Sequence, residues 1–193
     1  MNEAFVSYAI EGPKEILQKI EKALILHPIK ENSSSSWEGN VLIALHNNSA
    51  IWMPKKEHHM RGFINEESWW WDNNTGALRF DAVESGGVTD FDEELKELFP
   101  EIKVFWIVNS DDDELYATND KEGKYFKDRY YIDTCIKGDY QSDYFTKEQD
   151  ALDWIAKITG RPFASFEEVE DYSNDLAEEC LDDFINVHIF NVV

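Results

Sequence analysis

Trp69-Trp70-Trp71-Asp72-Asn73-Asn74-Thr75-Gly76-Ala77-Leu78-Arg79-Phe80 sets three indoles directly before a cluster of turn-forming residues. Asp, Asn and Gly tolerate positive φ better than other residues, so Asp72 to Gly76 reads as the turn of a β-hairpin. Its arms are the β-prone runs Gly62 to Trp71 and Ala77 to Val83. Side chains alternate along a strand, which sends Trp69 and Trp71 to one face and Trp70 to the other. The three rings therefore cannot form one stack, and the hairpin must belong to a sheet with at least one buried face.

Working outward, residues 4–10 form a short β-prone run, followed by Gly12-Pro13 and the helical spacing Ile16, Leu17, Ile20, Ala23, Leu24. Residues 37–45 are open to two readings: Trp37, Val41, Leu42 and Leu45 have helical spacing, yet Val41-Leu42-Ile43-Ala44-Leu45 also fits a buried strand, and a short helix is the preferred expectation. Beyond the hairpin, Thr89 or Asp90 can cap a helix whose apolar face is Phe91, Leu95, Leu98 and Phe99, and Pro100 ends it. Residues 102–108 are apolar on both faces, as a strand covered on two sides must be. Residues 115–118 and 125–136 extend the sheet as a meander. Thr146-Lys147-Glu148-Gln149 and Ser165-Phe166-Glu167-Glu168 are capping-box patterns that open two further amphipathic helices, ahead of a last β-prone run from Ile185.

This order predicts an α+β fold: a ferredoxin-like βαββαβ core extended by an antiparallel β-meander, with additional C-terminal helices. One domain is expected over 1–193, with the core and meander in 1–136 and the helical extension of 137–193 packed on it. Three elements also carry a resemblance: the run from Trp69 to Phe80, the succession Leu95-Lys96-Glu97-Leu98-Phe99-Pro100-Glu101-Ile102-Lys103-Val104-Phe105, and the acidic turn leading to the short strand Glu114 to Thr118. Over roughly residues 3–136 the chain resembles the YubB-like ferredoxin-like domain of uncharacterised bacterial, plasmid and phage proteins. The resemblance implies the fold but brings no activity or site residues with it.

The formal net charge is −22, and it is uneven: residues 1–60 carry 7 acids against 6 bases, the rest 33 against 12. A surface of this sign cannot neutralise phosphates, so direct binding of DNA, RNA or an anionic membrane is not expected. Two cysteines, Cys135 and Cys180, stand apart without a CxxC partner, the first ten residues do not read as a secretory leader, and no apolar run reaches membrane length; a cytoplasmic location is expected.

Catalytic and metal signatures are weak. His58-His59 are adjacent and diverge on any regular element, so an exposed loop is the expected reading. Asp111-Asp112-Asp113-Glu114 lacks the glycine of a calcium loop and reads as a solvated turn. There is no nucleophile elbow or phosphate loop, and no metal or cofactor is expected. The candidate binding residues are Trp69, Trp70, Asn73, Asn74 and Arg79, with the insert from Asn32 to Met60 as a second place to look. The two helices after Thr146 are available to cover the second face of the sheet, and a covered face is expected. A non-enzymatic module acting on a protein partner is the favoured function. An acidic nucleic-acid mimic that inhibits a basic DNA- or RNA-binding protein, and an enzyme of unrecognised class, are the alternatives. Oligomeric state is left open.

Overall fold

The computed structural model describes residues 3–26, 37–46, 62–85 and 90–193. Most of the insert from Asn32 to Met60, including His58 and His59, and also Gly86, Gly87 and Thr89, lie outside them. The fold is mixed α+β with two sheets, and the chain divides into two compact units, Met1–Asp120 and Lys121–Val193, each with its own core.

In the first unit the elements run β1 (Glu3–Glu11), α1 (Lys14–Leu26), α2 (Trp37–His46), β2 (Gly62–Trp71), β3 (Leu78–Ser85), α3 (Phe91–Leu98), β4 (Lys103–Ser110) and β5 (Leu115–Thr118). The strand order is β2-β3-β1-β4-β5, and each of these neighbouring pairs is antiparallel. One sheet face buries Val6, Tyr8 and Ile10 of β1, Leu78 and Phe80 of β3, and Val104 and Val108 of β4 against Leu17, Ile20, Leu24, Val41, Leu42, Phe91 and Leu95 of the helices. Period-2 strands thus meet period-3.6 helices along one apolar layer. Tyr8 stacks on Phe80 at 4.8 Å between centroids, and Phe91 meets both rings edge-on. Tyr8 also donates its hydroxyl to the buried Glu84 carboxylate at 2.5 Å, giving two buried polar groups a partner. Gly12 is required by proximity, since a Cβ there would lie 2.9 Å from Ile102 Cγ2.

Asp90 is the N-cap of α3, as the sequence allows, but its side chain makes no capping hydrogen bond. The acidic run Asp111 to Glu114 is the exposed turn between β4 and β5, and Asp111 accepts the Tyr116 hydroxyl. Just past β5, Asn119 imitates a strand residue: Trp106 N–H donates to its Oδ1 at 2.8 Å and its Nδ2 donates to Val104 O at 3.0 Å. One side chain thereby satisfies two backbone groups of β4 beyond the last paired residue.

The second unit holds β6 (Tyr130–Ile136), β7 (Asp139–Phe145), α4 (Glu148–Thr159), α5 (Phe166–Glu179), β8 (Phe184–Ile189) and the two-residue β9 (Asn191–Val192). The sequence reading of a continuing meander is corrected here. Residues 130–136 do not extend the first sheet; they are the central strand of a three-stranded sheet ordered β7-β6-β8, antiparallel throughout. The cause is local, because Lys137 and Gly138 both take positive φ (55° and 79°) and close a two-residue hairpin that commits β6 to β7. The apolar faces of α4 and α5 are used on this sheet: Ala151, Leu152, Ile155 and Val169 pack with Ile132 and Ile185. Gly160 ends α4 in the left-handed conformation. Ser165 caps α5 by accepting from Glu168 N–H, while the Glu168 carboxylate accepts from Ala164 N–H at 2.8 Å. At the start of α4 the Thr146 pattern does not form its box: Lys147 is the N-cap, without a side-chain bond. Among the described residues, no helix is long and apolar enough to cross a membrane.

Candidate functional site

The hairpin turn is built from its own side chains. Asp72 Oδ1 accepts from Asn74 N–H at 2.8 Å and Thr75 N–H at 3.3 Å, while Gly76 takes φ 72° and donates to Asp72 O at 2.7 Å. The Asn74 amide, above all, holds the Asp72 carboxyl below its usual range; the Thr75 groups and the Arg79 charge act in the same direction. Asn73 and Asn74 are exposed at the tip.

Register decides the fate of the tryptophans. Trp69 pairs with Phe80 and Trp71 with Leu78, which turns both indoles onto the core face, where they are half-buried. Trp71 Nε1 donates to Glu21 Oε1 of α1 at 2.6 Å, so its polar edge is satisfied there. Trp70 pairs with Arg79 and points the other way. It remains 41% exposed, and the Arg79 guanidinium carbon lies 5.4 Å from its ring centroid, within cation–π range. Of the five residues singled out from sequence, then, Trp70 and Arg79 meet, Trp69 goes into the core wall, and Asn73 and Asn74 serve the turn.

The face around Trp70 continues across the sheet in antiparallel rows. One row is Trp70, Arg79, Ala9, Phe105; the next is Asp81, Ser7, Ile107; the third is Phe63, Val83, Phe5, Asn109. Phe5 is 58% exposed and Phe63 55%. The expected covered face is therefore open at these positions. Ser7 donates to Asp81 Oδ1 at 2.6 Å, and a shallow depression of about 220 Å³ lies over the seam between Phe5, Ser7, Asp81 and Val83. Exposed aromatic rings beside an arginine and a hydrogen-bonded Ser–Asp pair form an amphipathic surface, the composition of interface anchors rather than of a metal or acid–base centre.

Sequence reasoning missed a second open face, on β7-β6-β8. Alternation brings Tyr131, Asp133 and Cys135 of β6 to the side away from α4 and α5, together with Tyr140, Ser142 and Tyr144 of β7 and Phe184, Asn186 and His188 of β8. Their rows are distinct. His188, Tyr131 and Tyr144 make a layer of rings, with Tyr131 4.7 Å from Tyr144 and 5.6 Å from His188. Asn186, Asp133 and Ser142 make a row of short polar side chains, and Phe184, Cys135 and Tyr140 follow. His188 Nε2 lies 2.8 Å from Asp133 Oδ1, and Asn186 Nδ2 donates to Oδ2 at 3.3 Å. Burial, and then the Tyr140 hydroxyl, push Tyr131 above its ordinary range, so it stays a neutral phenol. The signal was present as period-2 alternation in Asp139-Tyr140-Gln141-Ser142-Asp143-Tyr144-Phe145.

Both cysteines are free, Cys135 half-buried on this face and Cys180 exposed. Among the described residues, no group of three His, Cys, Asp or Glu side chains is placed to hold a metal ion. No family model, curated protein or solved structure matches the chain.

Proposed function

We propose that the protein is a non-enzymatic binding module that engages a protein partner through the open face of its first sheet, in a bacterial cytoplasm. The observation that carries this reading is the exposed Trp70 held against Arg79, on the same sheet face as the exposed Phe5 and Phe63 two rows away. Trp and Arg are the side chains most often found at the energetic centre of protein interfaces, and here the guanidinium limits the freedom of the ring that would be lost on docking. The strong negative charge supports a protein rather than a nucleic acid as the occupant of an aromatic sheet face.

We read the first unit as a ferredoxin-like βαββαβ domain of the YubB-like kind. The supporting observation is the all-antiparallel order β2-β3-β1-β4, in which α1 and α2 link β1 to β2, α3 links β3 to β4, and each linked pair brackets a third strand.

The test is photo-crosslinking in the producing cell, with a photoreactive phenylalanine analogue replacing Phe63 or Trp70 and, as a control, Glu170 on α5. A discrete heavier adduct from positions 63 and 70, absent from 170, is expected. The same smear from all three positions, or none from 63 and 70, would overturn the assignment.

A further inference from the structure

We propose that the open face of the second sheet binds a cationic side chain, arginine or lysine, presented by a protein. Three features converge on one row of that face. Asp133 is 9% exposed, and the weak screening of such a position strengthens the attraction of its carboxylate for a cation. Its two oxygens are oriented by His188 and Asn186, so the charge is held in place before any ligand arrives. Tyr131 and Tyr140 rise from either side of the polar row, each displaced by two residues, or roughly 7 Å, along the strands, and the Tyr131 hydroxyl reaches toward Tyr140 and Ser142 across it. A carboxylate beneath tyrosine rings is a chemistry that recognises ammonium and guanidinium groups, combining charge with the negative ring quadrupole.

Tyr140 is 58% exposed and reachable from solvent. Charge complementarity selects the occupant. A chain at −22 draws cationic partners and repels nucleic acid, and a neutral sugar would gain only hydrogen bonds at Asp133, without the charge attraction that a cation adds. The inference is independent of the Trp70 surface: either site can fail without the other.

The experiment is an NMR titration of the full chain with blocked Gly-Arg-Gly amide, its lysine counterpart, and a citrulline counterpart that keeps the shape of arginine without its charge. Saturable shifts at Tyr131, Asp133 and Tyr140 are expected with the two cationic peptides and not with citrulline. Asp133→Asn and Tyr140→Ala should each weaken arginine-peptide binding at least tenfold. Asp143→Asn removes one charge from the opposite face of β7 and should leave binding unchanged. If Asp133→Asn impairs folding, the exposed Tyr140→Ala decides. Equal weakening by Asp143→Asn, equal binding of the citrulline peptide, or a neutral oligosaccharide or DNA oligomer shifting these resonances while the arginine peptide stays silent would each overturn the proposal.

Discussion

Adjacent tryptophans in this protein do unlike work because a strand turns successive side chains through half a revolution. Trp69 and Trp71 are wall components, and shortening either to alanine should cost about 2–4 kcal/mol by stripping partners from the core cluster. Leu95, fully buried on α3, belongs to the same class; Leu95→Ala should lower stability by roughly 2–5 kcal/mol in a denaturant titration. The turn residue Asp72 is governed by hydrogen bonds instead. Its folded-state titration lies below the ordinary value of 3.8, so its contribution is present above that value and is lost as pH falls through the folded one. Protection of the Asn74 amide in hydrogen exchange should decline over that acidic range, and Asp72→Asn should remove this dependence.

At the scale of elements, the second sheet makes an opposite prediction at high pH. Tyr131 titrates above its ordinary value of 10.0, so the stability it lends is complete below pH 10 and falls away as pH rises toward the folded value. Tyr131→Phe should abolish that alkaline component of unfolding. Elements with strong local signals were legible in sequence: the hairpin by its turn residues, α3 by its apolar spacing and Pro100, and α5 by Ser165 and Glu168. What failed was pairing between distant segments. The sequence shows that Tyr130 to Ile136 is extended but not which strand it meets, because its neighbours are fixed by the Lys137-Gly138 turn on one side and by β8, some fifty residues onward, on the other. Strand β7 was overlooked because its alternation is tyrosine against aspartate and glutamine, with no aliphatic residue to mark a core face. For the same reason the Tyr131–Asp133–His188 group stayed hidden, since it joins two strands that only the fold makes neighbours.

On the whole molecule, the charge of −22 has a simple consequence: like charges repel in the compact state, so added salt should raise the melting temperature by screening. The central functional claim is that the same hairpin sends two indoles to the core and one to a partner. The most direct measurement is the set of three single Trp→Ala variants, each scored for unfolding free energy and for retention of the protein crosslinked at position 70. Trp70→Ala should stay within about 1 kcal/mol of the parent, since it gives up little beyond an exposed cation–π contact, and should lose the partner. Trp69→Ala and Trp71→Ala should be clearly destabilised yet keep the partner at temperatures where they remain folded. A Trp70→Ala protein of parental stability that still holds the partner would contradict the account.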